Sequence, residues 1–99
     1  MDKMISAENK QIINRIHCIK GHVNAVEKML IEDRPYDEII FQLEAIRSAV
    51  AKTTSVAAQH YANTCISETL QNGDKNIEAL KKPIEILMRV SQYKVLSNE

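Results

Sequence analysis

Glu32-Asp33-Arg34-Pro35-Tyr36 is the break around which the chain organises, because long stretches on either side hold no proline and, apart from Gly21, no glycine. Breaker residues recur only at Asn72-Gly73-Asp74 and at Lys82-Pro83. The intervals between them predict three helices. The first runs from about residue 7 to 32, with Ser6 as its N-cap and apolar residues at Ile12, Ile16, Ile19, Val23, Val26 and Leu30. Their steps of three and four describe a helix-packing seam and would scatter over both faces of a strand. Pro35 opens the second helix, since a first turn does not need its missing N–H, and Asn72-Gly73 supplies a left-handed stop after about residue 71. Its stripe is Tyr36, Ile39, Leu43, Ile46, Val50, Thr53, Ala57, Tyr61 and Cys65. The third helix is placed at Pro83 to about Val95, with residues 74 to 82 as a turn or short helical piece. The expected fold is all-α, a three-helix protomer built on a long antiparallel hairpin, with residues 1–99 as a single domain.

Ninety-nine residues fit one core, and 26% charged against 44% hydrophobic residues is the profile of a soluble globular chain. Lys+Arg and Asp+Glu are equal at 13 each, so net charge selects no polyanionic partner. Apolar runs of two or three residues cannot span a bilayer, and no charged-then-apolar leader opens the chain, so a cytoplasmic protein without membrane contact is expected. Two cysteines are too few for a disulfide scaffold; each is a buried small hydrophobe or a reactive or ligating thiol.

A second helix of about 55 Å is longer than a domain of this size needs for its own core, so part of it should pack on another chain. If helices 1 and 2 close near Arg34, residues at equal height have numbers summing to about 67 or 68. Arg15 then lies level with Lys52 and Lys20 with Arg47, gathering four positive charges midway along the pair. The bland alternative is four solvated surface charges. The same geometry sets Cys18 and Cys65 about 22 Å apart, which excludes an intrachain disulfide. Cys65 follows Tyr61 by four residues on one face and lies near the height of Met4, a soft potential ligand. Cys18 and His22 share a spacing that suits two ligands on one helix, and it suits an inert surface thiol as well. His60 sits beside the Tyr61 face as a surface histidine. No nucleophile, base and orienter can be assembled and no glycine-rich phosphate loop occurs, so an enzyme is not expected.

The segments Arg15-Ile-His-Cys-Ile-Lys20-Gly21-His22-Val, Met29-Leu-Ile-Glu-Asp-Arg34 and Gln42-Leu-Glu-Ala-Ile-Arg47-Ser-Ala-Val50 together resemble the CsoR/RcnR/FrmR family of bacterial repressors. The resemblance covers roughly residues 8 to 70 and extends loosely into the third helix. It implies an all-helical dimer of dimers, a flat homotetramer, that binds double-stranded operator DNA through basic residues on helices 1 and 2. By resemblance those residues are Arg15, Lys20 and Lys52, with Arg47 added by the hairpin arithmetic. Family members sense copper, nickel or cobalt, formaldehyde, or reactive sulfur. The family's three sensing positions fall on Tyr36, Tyr61 and Cys65, and its additional N-terminal position falls near Met4. Two of the three are thus tyrosines, hard oxygens that ligate Cu(I) or Ni(II) poorly. His60 is one residue out of register, rotated about 100° from the expected face. The expected function is therefore a repressor released from its operator by a metal ion or a small reactive inducer at an atypical site centred on Cys65. Metal ligand, electrophile trap and redox thiol are all open to that sulfur. A helical oligomeric interaction module without inducible DNA binding is the reading from another class.

Overall fold

The computed structural model describes residues 4–73 and 78–97, with side chains placed up to residue 92. Three helices follow one another, α1 (Ala7–Ile31), α2 (Tyr36–Gln71) and α3 (Glu78–Ser97), and no strand occurs among the described residues. Ser6 caps α1 as expected, its Oγ accepting the Asn9 N–H at 3.1 Å. At the other end, the Asp33 N–H donates to the Leu30 carbonyl at 3.2 Å and the Arg34 N–H to the Met29 carbonyl at 2.9 Å. This is a Schellman closure with aspartate, at φ 57°, where glycine is usual. Asp33 tolerates the left-handed conformation at a cost of roughly 1 kcal/mol.

Pro35 precedes α2 rather than starting it, and its carbonyl accepts from the N–H groups of Glu38 and Ile39 at 3.1 and 3.2 Å. Arg34 reaches across this entry to the Glu38 carboxylate, with Nη2 at 2.7 Å and Nε at 2.8 Å. The far end of α2 stops at Gly73, whose φ of 61° is the left-handed stop read from Asn72-Gly73.

The chain divides into two compact units, Met1–Thr53 and Thr54–Glu99, so the divide falls inside α2. In the first unit Val26 of α1 and Ile39 of α2 are buried, each stabilising by about 2–3 kcal/mol. Buried Thr53 satisfies its hydroxyl by donating to the Ala49 carbonyl at 2.8 Å. A polar bond crosses the hairpin: His22 Nε2–H donates to Gln42 Oε1 at 2.6 Å. The expected level partners of His22 were Ala45 and Ile46, so the pairing lies about one helical turn nearer the hinge.

Within this unit the apolar stripe of α2 resolves into two rows. Ile39, Ile46 and Thr53 turn inward, whereas Tyr36, Leu43 and Val50 stay exposed, at 4% for Ile39 against 75% for Tyr36. In the second unit the inward row of α2 is Ser55, Ala58, Ala62, Cys65 and Thr69, with both alanines buried and the others half-buried. Thr53 to Ala58 is a step of five, so this row does not continue the alternation of threes and fours that precedes it.

The third helix corrects an expectation. It starts at Glu78, five residues before Pro83, and carries the proline inside it. Pro83 is buried, and the inward face runs Leu80, Pro83, Ile86 and Val90, while Ile84, Leu87 and Met88 are exposed. Burial of the ring offsets the hydrogen bond that Pro83 denies to the Ala79 carbonyl, a loss of up to about 3 kcal/mol in an open helix.

Candidate DNA-binding and inducer sites

All four candidate DNA contacts lie in the first unit, Arg15 and Lys20 on α1 and Arg47 and Lys52 on α2. Arg15 is half-buried along the inward row of α1, and the other three are exposed. Five residues separate the two on each helix, a rotation of about 140°, so they do not share a single face, and the His22–Gln42 pairing shifts the expected level partners Lys52 and Arg47 by about one turn. Arg47 Nη1 stands 3.9 Å from Glu44 Oε1, both side chains well exposed. Such a surface pair is worth about 0–1 kcal/mol.

The sensing candidates are distributed over both units. Met4, 96% exposed, and Tyr36 belong to the first, and Tyr61 and Cys65 to the second. The Tyr61 hydroxyl donates a hydrogen bond to Cys65, four residues on. That bond, with a smaller contribution from desolvation, holds the phenol above its usual pKa of 10.0. The Cys65 carbonyl accepts from the Thr69 hydroxyl at 2.8 Å, which ties the next helical turn to the same residue.

Cys18 is exposed, and its partner at helical spacing, His22, has Nε2 committed to Gln42. Only Nδ1 of that ring is left for a ligand. His60 is half-buried, and its carbonyl accepts from the Thr64 hydroxyl at 3.0 Å. Gln42 is the residue that sequence reasoning did not single out; its signal was an uncharged polar side chain on the hairpin-facing row, opposite a histidine.

Among the described residues no group of three or more His, Cys, Asp or Glu side chains could hold a transition metal. At the helical spacing from Cys65 where a chelate would need a second soft donor stands Tyr61, a hard oxygen. The residues do not fit a Cu(I) or Ni(II) chelate within this chain.

Among the described residues, no helix is long and apolar enough to cross a membrane. A sequence profile described as metal-sensitive transcriptional repressor matches residues 8–89. The copper-sensing transcriptional repressor CsoR of Bacillus subtilis is 24% identical over 87 residues, covering 88% of this chain and 85% of that protein. CsoR of Mycobacterium bovis is 25% identical over 73 residues, and the match spans 74% of this chain and 61% of the relative's length. The nickel-responsive transcriptional regulator InrS shares the fold with a TM-score of 0.66 at 22% identity, over 94% of this chain and 98% of that one. A profile match across most of the three-helix chain settles the family, whose members are transcriptional repressors and not enzymes: this chain belongs to the metal-sensitive transcriptional repressors, the CsoR/RcnR/FrmR family.

Proposed function

We propose that the chain is a cytoplasmic, single-domain repressor that binds double-stranded operator DNA as a homotetramer and is released by an inducer acting at Cys65. The family match over residues 8–89 carries this reading. Arg15, Lys20, Lys52 and Arg47 supply the phosphate contacts. The exposed row Tyr36, Leu43, Val50 and Tyr61 is the seam for a second copy. In an antiparallel pairing of two α2 helices centred near Val50, Cys65 of one copy meets Tyr36 of the other. The candidate inducers are a metal ion, with Cu(I) suggested by the copper-sensing relatives and Ni(II) by the nickel-responsive one, or a small reactive molecule. Either works only by preferring a tetramer shape in which the basic residues no longer match the phosphate spacing.

Duplex binding measured against salt tests the DNA face. Arg15→Ala and Lys52→Ala should each weaken binding and reduce the slope of log affinity against log salt by about 0.9 for each phosphate no longer neutralised. Wild-type binding in both variants removes that face, and a flat slope in the wild type favours an assembly module without DNA. Light scattering at micromolar concentration should give a tetramer, and a monomer rejects the seam. Cys65→Ser should keep the fold, the tetramer and DNA binding but lose inducer-dependent release, whereas Cys18→Ser should still release. The reverse pattern moves the sensor to Cys18 and His22.

A further inference from the structure

The family is metal-sensitive, yet the donors around Cys65 are committed elsewhere. Tyr61, on the same face four residues earlier, offers only a hard phenol oxygen beside the sulfur. No group of three or more His, Cys, Asp or Glu side chains that could hold a metal ion exists among the described residues. A second copy does not repair this. In the α2 pairing proposed above, the residues brought opposite Cys65 are Tyr36, Asp37 and Glu38. Tyr36 adds another hard oxygen. Asp37 Oδ1 accepts the Glu38 N–H at 2.9 Å, and Glu38 Oε2 accepts from Arg34 at 2.7 and 2.8 Å. The carboxylates at this end of α2 thus cap its first turn and clamp the hinge. The helical turn around Cys65 contributes one soft donor, and one thiolate does not fix a divalent ion or compete for Cu(I).

We infer that this member has lost its family's metal response at α2, because the helical turn that carries Cys65 presents the hard oxygen of Tyr61 where a second soft donor would have to stand. The inference rests on the repressor reading for what the site regulates but not for whether it binds metal. Tyr61 is the deciding position, because an imidazole there would stand one helical turn from the sulfur, the spacing that lets two side chains of one helix share a metal.

The test is a titration of the reduced full-length protein with Co(II) and Ni(II), read by sulfur-to-metal charge-transfer absorption, and with Cu(I) against a competing chelator. Wild type, Cys65→Ser, Tyr61→Phe and Tyr61→His are compared, with helicity checked in each by circular dichroism. Wild type and Tyr61→Phe should give no Cys65-dependent band and take no Cu(I) through Cys65, and Tyr61→His should gain at least about tenfold in metal affinity. A stoichiometric wild-type band that disappears in Cys65→Ser overturns the inference. A band that survives Cys65→Ser supports it, since the metal then sits elsewhere. A folded Tyr61→His protein that gains nothing overturns the role given to position 61. Binding of the same metal-free samples to a duplex selected from a random-sequence library is recorded alongside. Failure there rejects the repressor reading and leaves the metal result standing.

Discussion

The two units differ in the kind of side chain that holds each of them together. Residues 1–53 bury two branched aliphatics, Val26 and Ile39, add a polar bond between His22 and Gln42, and fasten the hinge with Arg34 and Glu38. Among the described residues of 54–99, the buried ones are Ala58 and Ala62 on α2 and Pro83 on α3. Large side chains contribute more free energy each, and a polar bond between them fixes register. Small ones contribute little individually, but they let backbones approach closely and leave no room for growth. Removing bulk should therefore hurt the first unit, and adding it should hurt the second.

Ile39→Ala carries the largest expected effect, a loss of about 2–4 kcal/mol in urea unfolding, and a loss under about 1 kcal/mol would mean that the first unit is not built on this residue. Ala62→Leu should cost about 1–3 kcal/mol by overpacking, where the same exchange at exposed Ala7 should be neutral; neutrality at both sites would erase the contrast between the units. Gln42→Leu leaves the His22 ring without its acceptor and should cost about 1 kcal/mol. The helix ends give shifts of opposite sign. Gly73→Ala should lose about 1 kcal/mol, because φ is positive there, and Asp33→Gly should gain about 0.5 kcal/mol by relieving the same conformation. The smallest effect is electrostatic. The Tyr61 phenol is held above 10.0, so the stabilisation it reports is fully present at neutral pH and is lost only as pH rises through the raised value. In Cys65→Ala, the titration of Tyr61 followed by its own ring NMR signals should move down towards 10.0, and no movement would remove the bond to sulfur.

Much of this architecture can be read from residue order because the signals are local. Ser6 before a periodic run and Gly73 after one each act through backbone groups within four residues, so context cannot easily override them. Asp33 escapes that logic: its left-handed φ is imposed by the turn it closes and not by its own preference. Pro83 misleads for a related reason. A proline ring breaks an isolated helix, but here it is buried on the inward face of α3, and tertiary packing reverses the local preference. The two rows of α2 were merged in one stripe, since Ile39 and Leu43 are neighbours on the helix and spacing alone does not tell which one faces α1. The basic residues and the α2 thiol are visible in the sequence, whereas the donor from Tyr61 to Cys65 and the tie from His22 to Gln42 depend on side-chain rotamers. No periodicity encodes those.

Pro83 also sets how α3 comes apart. The Ala79 carbonyl has no N–H to receive four residues on, so the turn from Glu78 to Lys82 is joined to the rest of α3 by one fewer rung. A segment attached in this way opens by itself more often than the helix it introduces. Amide hydrogen exchange should therefore show a boundary at residue 83, with rapid exchange before it and slower, collective exchange from Ile84 onward. A protease probing the native protein would meet Lys81 and Lys82 on the side that opens first. Pro83 thus makes the entrance to α3 a place where the chain can loosen locally while the buried ring keeps the remainder docked.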